Sequence, residues 1–198
     1  MVDYNKSFLM SPGLFMDIPD TPNYIDPKDA DFIFQNERVC SFTGYRPEKF
    51  AFFKESDPRC TELKFKICAK INMLIVQGYT SFITGMARGV DIWAAEMVLH
   101  LSRNTDKDVK LYAAVPYPKQ QETWYEWEKD RYNEVLRLCK GVFVLEDHYT
   151  PKCMTNRNDF LVKHADSIIS VYDGKPGGTS YTLMAASKKN INIINIVP

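Results

Sequence analysis

Eight residues, Thr84-Gly85-Met86-Ala87-Arg88-Gly89-Val90-Asp91, follow a short apolar run, Ser81 to Ile83, and lead into a segment of helical character. A strand that ends in a glycine-bearing turn and opens a helix can bind phosphate. Unpaired N–H groups and the positive end of the helix dipole converge there. Gly85 and Gly89 suit such a turn, because a missing Cβ permits positive φ and close approach of a ligand. A second pair, Gly177-Gly178-Thr179, repeats the arrangement near the other end of the chain. Arg88 lies between the first two glycines, and Arg46 follows an earlier apolar run that ends at Thr43 and Gly44. Both arginines could clamp phosphate. Asp91 reads either as a cap at a helix start or as a carboxylate for ribose or catalysis. Two cradles in one small chain point to a nucleotide-like ligand.

These residues need a scaffold that brings them to one edge. Apolar patterning predicts strands at 39–43, 81–84, 109–115, 142–145, 167–172 and 191–197. Between them it predicts helices at 61–77, 90–103, 122–139, 155–164 and 179–189. Pro58 and Thr61 mark the start of the first helix and Gly78 its stop, while Gly141 reads as the stop of the third. Apolar strands alternating with helices give an α/β fold. The expectation is a Rossmann-like, doubly wound, mostly parallel sheet with helices on both faces. Ligands in such sheets sit beyond the C-terminal strand ends. That edge collects Gly44 and Arg46, then Thr84 to Asp91, Pro116 and Tyr117, Glu146 and Asp147, and finally Asp173 and Gly177 to Thr179.

The 198 residues divide into an N-terminal arm, 1–37, and one Rossmann-like domain, 38–198. The arm carries Pro12, Pro19, Pro22 and Pro27 without sustained periodicity. Its Phe8, Leu9, Phe15, Tyr24 and Phe32 suggest that it lies across the domain or a neighbouring subunit. The cluster Trp124, Tyr125 and Trp127 reads as core and subunit contact, which allows a homodimer.

Lys plus Arg and Asp plus Glu both total 25, so the formal charge is zero. A domain built for polyanions usually shows a basic excess, so the balance argues against a nucleic-acid partner. The five cysteines form no C-x-x-C pair and the three histidines stand singly, so neither a metal site nor a separate cofactor is expected. Reduced cysteines, no signal-peptide pattern and no apolar run long enough for a membrane span read as a cytoplasmic chain.

Ser41-Phe42-Thr43-Gly44-Tyr45-Arg46 together with Thr84 to Asp91 resembles the YpsA-like branch of the SLOG superfamily. Pro116, Gln121, Trp124, Tyr132, Arg157-Asn158, Asp166 and Gly177-Gly178-Thr179 look like later motif positions of that branch, so the likeness spans roughly 38–197. It implies a Rossmann-like protein that senses or processes nucleotide-derived ligands such as ADP-ribose or NAD relatives. It also brings Arg157 and Asn158 to the ligand side. Related phosphoribohydrolases carry Pro-Gly-Gly-x-Gly-Thr followed by a catalytic glutamate. Here Pro176-Gly177-Gly178-Thr179 is followed by Ser180-Tyr181-Thr182-Leu183, so N-glycosidic hydrolysis would need Glu96 or Asp91 as a substitute. DNA-processing relatives carry a turn similar to 85–91 and bind single-stranded DNA.

Overall fold

The computed structural model describes residues 19–52 and 54–198. Phe8, Leu9, Pro12 and Phe15 of the arm lie outside the described residues. Among the described residues, seven strands form one sheet in the order β1-β5-β4-β3-β2-β6-β7. They are β1 (Tyr24–Ile25), β2 (Val39–Gly44), β3 (Ser81–Thr84), β4 (Lys110–Val115), β5 (Gly141–Val144), β6 (Ser167–Val171) and β7 (Asn192–Ile196). Every pairing is parallel. The helices are α1 (Ala30–Phe34), α2 (Pro58–Val76), α3 (Val90–Arg103), α4 (Glu126–Leu138), α5 (Cys153–Lys163) and α6 (Gly178–Lys188). None is long and apolar enough to cross a membrane.

The chain runs from β2 outward through β3, β4 and β5, then returns to place β6 on the other side of β2. This reversal opens the crevice between β2 and β6, the position where doubly wound sheets take ligands. Strands β2, β3 and β6 are buried along almost their whole length, as central parallel strands must be. One layer, holding α2, α3 and α4, packs on Cys40, Phe42, Phe82, Leu111 and Ala113. The alternating residues Val39, Ile83, Tyr112 and Phe143 face the opposite layer with Phe34 and Leu161.

Local chemistry sets the element ends. Asp57 accepts the Arg59 N–H at 2.9 Å and Pro58 opens α2, whose Leu63, Ile67, Ile71 and Leu74 are buried as the periodicity required. Gly78, at φ +91°, stops that helix. Helix α4 begins later than the periodicity suggested. Tyr125 is extended at ψ 151°, its N–H donates to Glu128 Oε2 at 3.2 Å, and Trp124 sits in the turn before the helix.

Residues 24–34, read from sequence as part of an arm, supply an edge strand and a short helix with one buried side. Tyr24 and Ile25 pair with Val142 and Phe143. Ala30 and Phe34 enter the core. Gly141 serves this contact instead of a helix stop. A Cβ there would overlap Ile25 Cδ1, and the φ at Gly141 is not positive.

Candidate functional site

The two glycine turns lie at neighbouring strand ends, but they differ in what they leave open. In the first, Gly89 has φ +83° and a Cβ on it would lie 2.6 Å from the Tyr45 carbonyl oxygen. Gly44 makes the reciprocal accommodation, since a Cβ there would lie 2.6 Å from Val90 Cβ. These glycines let the start of α3 press against the end of β2. Thr84 is fully buried and braces the turn, its hydroxyl accepting from Met86 N–H at 3.2 Å and donating to the Asp91 carbonyl at 3.0 Å.

Asp91 occupies the anion position of this turn with its own carboxylate. Its Oδ2 accepts from Ala87 N–H at 3.3 Å and from Arg157 Nη1 at 3.2 Å. Arg157 reaches across from α5, also donating to the Gly85 carbonyl, and a Cβ on Gly85 would lie 2.8 Å from Arg157 Cδ. Burial pushes the Asp91 carboxyl up and pulls the Arg157 guanidinium down, each opposed by the charge of the other. Arg157 remains under-satisfied. Its Nε is enclosed without a partner, and Nη2 has none among the described residues. A guanidinium carries five donors, so this one can still take an acceptor.

The second turn is open. Gly177, at φ +152° and ψ −164°, leads into α6, which has no side-chain cap. The Gly177 N–H is taken by Ser180 Oγ at 2.9 Å, while the N–H groups of Gly178, Thr179 and Ser180 have no partner among the described residues. Thr179 is buried, and Asn158 Nδ2 is the atom nearest to a Cβ built on Gly178, at 3.8 Å. Lys49 arrives here as well. A Cβ on Gly177 would lie 2.8 Å from its Nζ, which also sits 5.6 Å from the Tyr45 ring centroid.

Lys49 carries no glycine or motif signal and was not read from the sequence. Pro47 opens a single 3-10 turn, Pro47–Lys49, that folds the lysine back over Tyr45. Arg46, exposed at the end of β2, makes no ion pair among the described residues, and its charge acts on Asp91, Arg157 and Tyr117. Farther along the same connection, Glu55 joins an ion-pair network. Arg131 bonds both oxygens of Glu96 and also Glu55, which accepts from Trp93 Nε1 at 2.7 Å and from Lys64. Burial pushes the Glu55 carboxyl up, but Arg131 and Lys64 outweigh it and hold it at about 2.

Several residues read as ligand-facing are committed elsewhere. Arg88 turns towards α4 and pairs with Glu128 at 2.7 Å and with Glu48. Asp173 accepts from Lys175 and from the Tyr45 hydroxyl, which keep it ionised with a pKa of about 2. Glu96 is held by Arg131. Asp91 and Glu96, the two carboxylates considered for hydrolysis, are thus both engaged in ion pairs here. Among the described residues no three His, Cys, Asp or Glu side chains gather closely enough to hold a metal ion. What the crevice offers is donors without matching acceptors: Arg46, Lys49, Asn158, under-bonded Arg157 and the α6 amides.

The family model described as YspA SLOG matches residues 40–196. A UPF0398 protein of Halalkalibacterium halodurans is 28% identical over 155 residues, covering 77% of this chain and 82% of its own length. A UPF0398 protein of Bacillus thuringiensis is 29% identical over 155 residues, covering 77% and 84%. Among solved structures, DNA processing protein A from Streptococcus pneumoniae superposes with a TM-score of 0.57 at 15% identity. The match covers 88% of this chain but 54% of that one, so the chain spans about half of it. DNA processing protein A from Helicobacter pylori, whose structure concerns a single-stranded DNA binding mode, gives a TM-score of 0.52 at 15% identity, covering 82% and 66%. At this identity the likeness is one of fold.

The single-stranded DNA binding of the H. pylori protein corrects the expectation, drawn from charge balance, that argued against a nucleic-acid partner. Net charge sums the whole surface, whereas a strand responds to local potential. Here Arg46 and Lys49 both follow β2 and make no ion pair among the described residues, while the carboxylates of Glu48 and Glu128 are paired with Arg88. The parallel sheet with its β2–β6 reversal, the two glycine turns and a match over most of the length agree: the chain belongs to the YspA SLOG family.

Proposed function

We propose that this protein binds a nucleotide-type ligand in the crevice between β2 and β6. In this reading a phosphate lies against the N-terminus of α6. The observation that carries it is the uncapped Gly177-Gly178 start of α6 with Lys49 Nζ beside it and the buried, under-bonded Arg157 nearby. Amide donors, the helix dipole and fixed cations favour an anion in that position. Arg46, Asn158 and Thr179 complete the set of groups assigned to the ligand. Gly44, Thr84, Gly85, Gly89 and Asp91 act as the frame that holds Arg157 and the β2 end in place. Arg88 belongs to the packing of α4. The role is binding or sensing, because the carboxylates considered for hydrolysis are held in ion pairs.

A second reading has the bound nucleotide as part of a single strand. It is favoured by the likeness to the H. pylori protein. The two differ in salt response, since strand binding should weaken steeply as salt rises.

Gly178→Asp tests the shared phosphate site cleanly. A side chain has room there, and an acidic residue in the first turn suits the helix dipole, so folding should be unaffected. Calorimetric titration with AMP, ADP-ribose, NAD and a short oligothymidylate should show binding of at least one by the native protein. The variant should bind it about tenfold or more weakly, corresponding to about 1.4 kcal/mol. Unchanged affinity in a folded Gly178→Asp protein would remove phosphate from the α6 terminus.

A further inference from the structure

The sheet order sets the residues of its C-terminal edge in a row. Running outward from α6 beside β6, the edge passes Arg46 after β2 and the Arg157-covered turn after β3. It then reaches Tyr117 after β4 and the loop carrying Tyr149 after β5. Tyr117 and Tyr149 form an edge-to-face pair, with ring centroids 5.4 Å apart and planes at 79°. Tyr149 is 62% exposed although it is a large aromatic ring, and neither hydroxyl has a hydrogen-bond partner among the described residues. Tyr117, partly buried, supports the more exposed Tyr149 ring from the side.

Resting on the phosphate reading above, we propose that the Tyr117–Tyr149 pair is a stacking subsite for a nucleobase, and that the crevice takes a ligand of dinucleotide length. An exposed aromatic face stacks any base, because every base has a π-face. Length follows from the sheet. Adjacent strands lie roughly 4.8 Å apart, so β6 and β4 are about 14 Å apart and β6 and β5 about 19 Å. A single ribose separates the base of a mononucleotide from its phosphate, which is too short to bridge three strand spacings. Two nucleotide units joined through phosphate reach across, with Arg46 under the bridge. A free dinucleotide-like molecule and two successive units of a strand share this chemistry.

The test compares four probes: pyrophosphate, AMP, ADP-ribose and thymidylates of one to eight units. They are titrated into the native protein and into Tyr149→Ala, Tyr149→Phe and Gly178→Asp, each checked for folding by circular dichroism. Tyr149→Ala should weaken the longest-reaching ligand by about tenfold, the usual scale for losing one base–aromatic stack. Pyrophosphate should change by less than twofold, and Tyr149→Phe should retain binding. Preference for ADP-ribose would identify a free dinucleotide. Preference for oligothymidylate, with affinity gained on passing from one unit to two or three, would identify a strand. AMP binding as tightly as the longer ligands would overturn the length inference. Unchanged affinity in Tyr149→Ala with lost affinity in Gly178→Asp would remove the stacking subsite and leave the phosphate site standing. No binding of any probe by the native protein would sink both.

Discussion

At residue scale the decisive group is Arg157. It is buried, it neutralises Asp91 at 3.2 Å, and it fills the space that Gly85 leaves vacant. A glycine turn that looks like an empty phosphate cradle is thus occupied from within. Removing one member of a buried ion pair leaves the other charge stranded, which typically costs about 3–5 kcal/mol. Arg157→Ala should lose stability on that scale in urea denaturation, and Arg157→Ala combined with Asp91→Ala should recover part of it. A loss below about 1 kcal/mol, within the range of an exposed pair, would mean that the pair is not a desolvated one. Lys49 is the opposite case: exposed, without an ion pair among the described residues, and placed against Gly177 only by the fold.

At the scale of elements, the sheet edge depends on one missing side chain. Strand β1 is two residues long, and Ile25 lies where a Gly141 Cβ would be. Such a short edge strand has little pairing of its own, so its attachment rests on this packing and on the Tyr24–Val142 and Ile25–Phe143 register. Gly141→Ala should force Ile25 outward and cost about 1–3 kcal/mol, as overpacking does. Hydrogen exchange should show faster exchange in the strand β1–β5 pair while the β2–β6 pair keeps its protection. Equal loosening in both would show that β1 is not an independent attachment. The phosphate end of the crevice, at β2 and β6, begins four strands away from β1, so affinity for pyrophosphate should be unchanged in this variant.

Across the whole molecule, acid should lower the stability of the fold in two steps. Burial lowers the His164 imidazole to about 4, with Lys163 adding to the effect, whereas an unfolded histidine titrates near 6.5. The native state therefore resists a proton that the unfolded state accepts. Stability is full above about pH 6.5 and falls as pH drops towards 4. Allowing for solvent screening, the loss is on the order of 1–2 kcal/mol. Glu55, held at about 2 in the native state, adds a second loss as pH falls from its ordinary 4.5 towards 2. Chemical denaturation between pH 4 and 7.5 should show the first step, and His164→Gln should flatten it. A native protein with constant stability over that window would exclude the histidine.

Most of the architecture was legible in the chain because it is dictated locally. Apolar runs, the Leu63-Ile67-Ile71-Leu74 stripe, Pro58 and Gly78 placed six strands and five helices within a few residues of their observed limits. Their alternation required a parallel sheet with residues 44–46, 84–91 and 177–179 on one edge. Misreadings occurred where local signals had more than one cause. Gly141 looked like a helix stop but makes room for Ile25, and Tyr24–Ile25 was too short to register as a strand. The occupancy of the two cradles could not be read at all. Whether a glycine turn is open depends on what distant elements place over it, here Arg157 from α5 over Gly85 and Lys49 from the β2 loop beside Gly177. Sequence determined which groups reach the edge, because spacing along a strand is fixed by backbone geometry. Tertiary structure decided which of those groups remain unpaired, because pairing is a property of neighbours that the fold alone brings together.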